Sequence, residues 1–176
     1  THRLPLADLR DMVERATPAV STNDAVPILT GFNVKLCPGR VQIEATDRYR
    51  LVVDEATATG NTEGSCVAPG KLLARFLALV KGDEVALGLN EDWLVVRVDE
   101  TVTFLVRTLL GTYPQVRRLL ELVTTSAVTV PAEQLAKAAA RASALTLAMG
   151  KNKSKALAAE VAVTLSTEGV TVAPVT

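Results

Sequence analysis

Apolar and polar residues alternate in the stretch from Val26 to Leu51, and this alternation predicts an antiparallel hairpin in the first third of the chain. Side chains at every second position of a strand point to the same face, so the pattern indicates one buried and one solvated face. The alternating apolar residues are Val34, Leu36, Val41 and Ile43. The sequence C-P-G-R at 37–40 predicts the tight turn between the two strands.

The hairpin pattern ends in residues 45–51, A-T-D-R-Y-R-L, where charged and aromatic side chains replace the alternation. This segment places one carboxylate, two guanidinium groups and one phenol between apolar neighbours. A plain surface strand requires no such cluster. We therefore interpret the segment either as a salt-bridged strand end or as a recognition site.

Three other segments repeat apolar residues every three or four positions, which predicts amphipathic helices. They are Pro5 to Ala16, Pro69 to Val80 and Pro131 to Leu147. The residues of the second helix that are expected to face the core are Leu72, Leu73, Phe76, Leu77 and Val80. Further strands are predicted at 51–56, 84–89, 94–98, 102–105, 128–130, 159–165 and 169–172, loops at 57–64 and 111–122, and a basic loop at 149–155.

Each predicted helix begins with Pro, has Leu four residues later, and is followed by a strand, a turn and a strand. This indicates three copies of one unit, spaced about 60 residues apart. One unit alone has too little apolar surface for a core, so two units are expected to pack together. We therefore predict an α+β fold of repeated helix-plus-antiparallel-sheet units with the helices on one face. The predicted domains are 1–122, a closed pair of units, and 123–176, a half-domain.

The composition is that of a folded protein, with 48% hydrophobic and 22% charged residues among 176. Aromatic residues are only 3%, so the core is expected to consist of Leu, Val and Ala. Basic and acidic residues balance at 19 each, so net charge does not favour nucleic-acid binding and only a local patch would. No apolar run is long enough to span a membrane and no signal peptide is visible, so a cytoplasmic protein without membrane partners is expected.

Catalytic and metal chemistry find little support in the sequence. Cys37 and Cys66 show no C-x-x-C spacing and are expected to be buried free thiols in a reducing compartment. His2, the only histidine, lies at a terminus that we expect to be mobile. The chain has no Gly-rich phosphate loop, nucleophile elbow or metal-ligand spacing. We therefore predict a protein that is not an enzyme and that needs neither metal nor cofactor.

Six basic residues lie off the apolar stripes of the three helices and would share one face if the units pack side by side. They are Arg10, Arg15, Lys71, Arg75, Lys137 and Arg141. Such a face could follow a phosphate backbone without reading base sequence. The alternative is an ordinary solvated surface on which Asp8, Asp11, Glu14 and Glu133 neutralise the basic residues, and both interpretations stay open.

Two short Arg-containing segments, Thr46 to Leu51 and Tyr113 to Leu119, are each bounded by apolar residues. Together they could present a small apolar pocket with a guanidinium rim, which suits capture of an extended peptide. The alternative is that they are two unrelated structural turns.

These segments also carry a family resemblance. V-P-I-L-T-G, E-A-T-D-R-Y-R-L and Y-P-Q-V-R-R-L-L, at their spacing here, resemble the middle domain of the bacterial replicative sliding clamp, the beta subunit of DNA polymerase III. The tail A-V-T-V-P-A-E-Q-L-A-K, followed by E-G-V-T-V-A-P, is similar to the first half of the third domain in that family. The resemblance implies the DNA-clamp fold, with helices inside a ring and sheets outside.

The resemblance further implies a processivity factor that encircles duplex DNA and binds linear-motif peptides of polymerases, loaders and repair factors, with homo-oligomers among its assemblies. Such peptides dock between the middle and third domains. Matching the motifs residue by residue implies a pocket wall of Leu29, Thr46, Arg48, Tyr49, Arg50, Leu51, Pro114, Arg118 and Leu119. The three leucines would supply apolar contact, and Arg50 and Arg118 would orient polar groups of the peptide.

The sequence departs from the family pattern in its extent. It has no counterpart of the first domain or of the second half of the third, its residue 1 is Thr, and Glu121 stands where the family usually has Pro. Three interpretations follow: a fragment of a clamp, a clamp-like sensing module of a transcription regulator that does not encircle DNA, or a short divergent homologue that assembles differently.

Overall fold

Within residues 1–121, 127–149, 161–166 and 169–174, which the computed structural model describes, the chain forms four α-helices and ten strands. The helices are α1 Leu6–Ala16, α2 Gly70–Leu79, α3 Arg117–Leu120 and α4 Ala132–Met149. The strands are β1 His2–Pro5, β2 Gly31–Cys37, β3 Arg40–Thr46, β4 Leu51–Thr57, β5 Gly64–Pro69, β6 Glu84–Asn90, β7 Trp93–Val98, β8 Val102–Arg107, β9 Val161–Ser166 and β10 Gly169–Pro174. The chain divides into two compact units, a first unit, Thr1–Arg118, and a second unit, Leu119–Thr176.

The first unit contains two four-stranded antiparallel sheets, and each sheet includes one strand that directly precedes or follows elements of the other half of the unit. Their strand orders are β4-β3-β2-β5 and β1-β6-β7-β8. Strand β5 leads into α2 but pairs with β2, whereas β1 leads into α1 but pairs with β6. The two halves of this unit therefore cannot separate without breaking strand pairs, which is the physical reason that two repeats share one core.

The central hairpin forms as the alternation predicts. In its register Val34 lies opposite Ile43 and Leu36 opposite Val41, and all four side chains are buried. Gly39 in the turn has φ +75°, a left-handed conformation that glycine adopts without steric cost. The strands predicted at 51–56, 84–89, 94–98 and 102–105 are also present as β4, β6, β7 and β8.

Both helices of the first unit bury one face, as predicted, with one exception. The buried residues of α1 are Leu6, Leu9, Met12, Val13 and Ala16. In α2, Leu73 and Leu77 are buried, but Leu72 is 55% exposed, so its predicted place in the core is wrong. Neighbouring helix residues point about 100° apart, and the row that contains Leu73 and Leu77 faces the sheets. Phe76 stacks on Phe104 of β8 with ring centroids 4.3 Å apart.

Strand β1 overturns the expectation that the N-terminus is mobile. His2 is fully buried, with Nε2 2.8 Å from the Cys37 carbonyl oxygen and Nδ1 3.3 Å from the Thr62 hydroxyl. A four-residue strand shows too few positions for an alternation to be visible. Its pairing with β6, about 80 residues later in the chain, determines it instead.

Strand β5 is likewise invisible to the local pattern, since its sequence G-S-C-V-A-P consists largely of small residues. Residues 128–130, expected to form a strand, adopt no regular structure, so that prediction is wrong. Residues 127–130 instead run directly into α4, and no described strand pairs with them.

In the second unit, α4 packs on the antiparallel hairpin of β9 and β10. The helix predicted at 131–147 and the final hairpin are thus present. Val163 and Leu165 of β9 are about half exposed, at 55% and 47%. Residues 150–155 of the predicted basic loop and residues 159–160 of the predicted strand lie outside the described residues, while Met149 ends α4.

Candidate functional site

The segment between β3 and β4 is a four-residue loop, 47–50, closed by the pair Thr46 and Leu51. The Asp47 carboxylate holds this loop from within. Its Oδ1 accepts hydrogen bonds from the N–H groups of Tyr49 and Arg50, each at 3.0 Å, and its Oδ2 accepts one from Arg50 Nε at 2.8 Å. Partial burial opposes ionisation, but the guanidinium and the two N–H groups outweigh it and hold the pKa of Asp47 below its usual value.

Thr46 supplies a second set of bonds to the same loop. Its Oγ1 donates to the Arg50 carbonyl oxygen at 2.7 Å and accepts from the Arg48 N–H at 3.1 Å. Arg48 adopts φ +81°, which is uncommon for a residue with a side chain. The loop backbone is therefore fixed by local bonds before any ligand arrives.

Tyr113 joins the loop to the second Arg-containing segment. The Thr46 N–H donates to Tyr113 Oη at 3.0 Å, and Oη lies 3.5 Å from the Glu44 carbonyl oxygen, which accepts from it. The Tyr113 ring packs with Leu29 and Val67 in a small apolar cluster. Burial raises the pKa of Tyr113 to about 12, so the hydroxyl is neutral at physiological pH. The two Arg-containing segments of the sequence, 46–51 and 113–119, are thus in contact.

A buried carboxylate lies on the strand that leads into this loop. Glu44 is 1% exposed, and its two oxygens accept from Asn33 Nδ2 at 2.7 Å and Lys35 Nζ at 2.5 Å. A buried charge is tolerated only when it is paired and hydrogen-bonded, and both conditions are met here. This network stiffens β2 and β3 where they support the loop.

The implied pocket residues divide into a buried floor and an exposed rim. Leu29 and Thr46 are buried and Leu51 is half-buried, so these three residues form the floor. The exposed members of the implied wall in the first unit are Arg48, Tyr49, Arg50, Pro114 and Arg118, and Tyr49 is 93% exposed. Leu119 is exposed as well and belongs to the second unit.

Sequence reasoning missed the residues that hold the rim in place. Asp47 lies in the loop, Glu44 lies on the strand that leads into it, and Tyr113 bonds to Thr46. None of the three was among the residues of the implied wall. A signal existed for Asp47, because Asp often bonds the backbone two residues ahead in turns. No local signal identifies Tyr113, since its partner lies 67 residues away.

The two helix-face basic residues of α1 hold protein partners. The Arg10 guanidinium donates to the carbonyl oxygens of Leu77 and Val80 at 3.0 and 2.9 Å, at the C-terminal end of α2. Arg15 Nε donates to Asp54 Oδ2 at 2.6 Å, and this bond raises the pKa of the Arg15 guanidinium. Both side chains therefore join α1 to its neighbours.

The other four basic residues differ between the two units. Lys71 and Arg75 of α2 are exposed and form no ion pair with any described residue. In the second unit Lys137 pairs with Glu133 at 2.6 Å, and Arg141 is exposed. In the first unit, the cations available on the helix face are thus those of α2.

Two absences concern only the part of the chain that the structure describes. No group of three or more His, Cys, Asp or Glu side chains in it is arranged to hold a metal ion. Among the helices that the structure describes, none is both long and apolar enough to cross a membrane.

Comparison with known proteins points to one family. The family model described as the DNA polymerase III beta subunit, central domain, matches residues 3–115. A beta sliding clamp of Halalkalibacterium halodurans is 31% identical over 130 residues, which are 67% of this chain and 32% of the relative. The chain spans about a third to two fifths of the length of the curated relatives it matches.

Solved structures show the same fold. The beta subunit from the DNA polymerase of Streptococcus pyogenes superposes with a TM-score of 0.84 at 22% identity, over 99% of this chain and 46% of that one. A Helicobacter pylori beta clamp bound to a DNA ligase peptide superposes with a TM-score of 0.58 at 14% identity, over 65% of this chain and 33% of that one. These likenesses confirm the predicted α+β clamp fold.

Proposed function

The chain belongs to the DNA polymerase III beta subunit family, the bacterial sliding clamps, and from this premise we propose that it binds clamp-interaction peptides of polymerases, loaders and repair factors. In its full-length context it surrounds duplex DNA as a non-enzymatic processivity factor in the cytoplasm. Residues 1–122 act as a middle-type domain and residues 123–176 as the first half of a third-type domain.

One observation carries the peptide-binding proposal: the 47–50 loop is held rigid next to an apolar cluster. Asp47 and Thr46 fix its backbone, and Tyr113 ties it to the segment that contains Pro114 and Arg118. Fixing a loop in its bound conformation lowers the entropic cost of binding. The Helicobacter pylori clamp that shares the fold is bound to a DNA ligase peptide, which supports peptide binding as a use of this fold.

DNA contact is assigned to α2. Lys71 and Arg75 lie one helical turn apart, are exposed, and are unpaired within the described residues. Such cations bind phosphates without reading base sequence, as a sliding protein requires. Arg10, Arg15, Lys137 and Arg141 stay predicted DNA-facing residues, although Arg10, Arg15 and Lys137 already hold protein partners.

Peptide binding is tested by fluorescence anisotropy with a labelled clamp-motif peptide and the full-length protein that contains this sequence. Arg118→Ala and Leu29→Ala are expected to weaken binding. Arg40→Ala is the matched control, because Arg40 is exposed on the same strand as Thr46 but at its other end, about 20 Å away. A wild-type protein that binds no motif peptide would refute the peptide site.

Retention on circular DNA tests the second part. The double variant Lys71→Glu/Arg75→Glu should stay on circular DNA for a shorter time than the wild type. Arg97→Glu is the control, because Arg97 is exposed on strand β7 and not on a helix, and it should leave the retention time unchanged. Unchanged retention in the double variant would contradict the assignment of α2. Peptide binding by a wild-type protein that is never retained on DNA would instead favour an interaction module that does not encircle DNA.

A further inference from the structure

We propose that Arg48 makes the peptide site selective for acidic ligands: an extended peptide that carries Asp or Glu beside its apolar anchor residues. This inference rests on the proposed peptide-binding function and adds the chemical class of the partner. It follows from the backbone conformation of Arg48, from the charge balance of the loop and from the exposed aromatic side chain beside it.

The backbone conformation of Arg48 does not favour an arginine, which indicates that its side chain has a functional role. At φ +81° a residue with a Cβ is disfavoured, whereas glycine adopts this conformation freely. Backbone strain of this kind persists mainly at functional sites. The other described non-glycine residues with positive φ are Glu91, Asp99 and Glu100, which lie in short hairpin turns where positive φ is common.

The charge balance of the loop leaves one guanidinium free. Asp47 is the only carboxylate in the loop, and its oxygens already accept three hydrogen bonds from Tyr49 and Arg50. Arg48 is exposed and forms no ion pair with any residue that the structure describes. The loop therefore presents a net positive charge that its own carboxylate does not neutralise.

The surroundings favour a peptide carboxylate over a phosphate backbone. A guanidinium binds a carboxylate in a planar, two-bond geometry, which gives direction as well as attraction. Tyr49, the next residue in the chain, is 93% exposed and offers an aromatic surface. Tyr113, which packs with Leu29 in the apolar cluster, accepts the hydrogen bond of Thr46, the residue that precedes the loop. Nucleic acid is bound by rows of cations that follow successive phosphates, and Arg50, the other loop cation, is engaged by Asp47.

The test compares two peptides on the full-length protein: a motif peptide without charged residues, and the same peptide with one Glu beside its apolar anchors. Anisotropy titrations give the ratio of their dissociation constants. In the wild type the acidic peptide should bind about two- to fivefold more tightly, the range expected for one exposed ion pair. The preference should shrink at high salt because the pair is solvent-exposed.

Three variants separate charge from structure. Arg48→Gly should bring the ratio of the two dissociation constants to about one. Arg48→Lys keeps the charge but loses the two-bond geometry, so it should retain only part of the preference. Arg40→Ala should retain all of it. Since glycine accepts φ +81°, Arg48→Gly should also melt at the same temperature as the wild type or higher, which shows that the lost preference is not lost folding.

The outcomes distinguish this inference from the proposed function. If the wild type binds both peptides equally, the acidic selectivity is refuted and the peptide site stands. If it binds neither, both are refuted. A preference that persists in Arg48→Gly would assign the selectivity to another residue. A short DNA duplex that displaces the peptide from the wild type but not from Arg48→Gly would make phosphate the ligand of Arg48 and overturn the proposal.

Discussion

Replacing Tyr113 by Phe removes a single hydroxyl and leaves the buried ring in place. That hydroxyl is the acceptor for the Thr46 N–H at 3.0 Å. Both residues are buried, Thr46 with 5% and Tyr113 with 9% of their surface exposed, so water has little access to the freed N–H group. The Tyr113→Phe variant is therefore expected to be less stable and to hold the 47–50 loop less firmly.

The magnitude follows from the cost of an unsatisfied buried donor, which is about 1–3 kcal/mol. With a urea m-value of roughly 2 kcal/mol/M, the unfolding midpoint should fall by roughly 0.5–1.5 M. The effect also depends on pH. The pKa of Tyr113 is raised from 10.0 to about 12, so its stabilising contribution is complete below pH 10 and is lost as the pH rises through about 12. The difference between wild type and variant should therefore shrink over that range.

Urea denaturation monitored by circular dichroism measures the change in unfolding free energy, and hydrogen exchange of the Thr46 amide reports the broken bond directly. Tyr49→Phe is the matched control, because it removes a hydroxyl from a side chain that is 93% exposed and should leave stability unchanged. If Tyr113→Phe unfolds at the same urea concentration as Tyr49→Phe and the Thr46 amide exchanges no faster, the assigned role of Tyr113 is wrong.

Three further predictions test other contacts. Arg10→Met should lower the unfolding free energy by about 1–2 kcal/mol, because two hydrogen bonds to the C-terminal carbonyls of α2 are lost. The control Lys71→Met should change it by less than about 0.5 kcal/mol. Equal effects of the two substitutions would contradict the assigned role of Arg10. Burial raises the pKa of Cys66 to about 12, so iodoacetamide at pH 8 should leave Cys66 unmodified in the folded protein and modify it in urea. Gly31→Ala should cost about 1–3 kcal/mol, measured by denaturation, because an added Cβ would lie 2.7 Å from the Ala68 carbonyl oxygen; a stable variant would show that β5 shifts easily.

Local sequence patterns were sufficient where the chain contacts itself over short distances. The helices α1, α2 and α4 repeat apolar residues at helical spacing, and the hairpin of β2 and β3 alternates around a four-residue turn. Their hydrogen bonds join residues that are close in the chain, so the pattern and the structure carry the same information.

Patterns failed where the partner is distant. Strand β1 is short and strand β5 consists largely of small residues, and each pairs with a strand from the other half of the first unit. His2 was expected at a mobile end and is instead fully buried, because β6 and the loop around Thr62 cover it. Leu72 fits the helical stripe but faces solvent, since the direction of the sheets decides which edge of the stripe is buried.

The candidate site shows the same division. Its motifs placed a cluster of basic and aromatic residues at 46–51 and a second at 113–119, and the sequence by itself determined which chemical groups are present there. Only the tertiary structure decided which of these groups are bonded and which are free. Asp47 pairs with Arg50, and Arg48 has no ion pair among the described residues. Tyr113 accepts a hydrogen bond from Thr46, and Arg10 on the helix face donates to α2. The physical reason is that a side chain's charge and size are properties of one residue, whereas its exposure and its partner depend on segments that folding brings together from far along the chain.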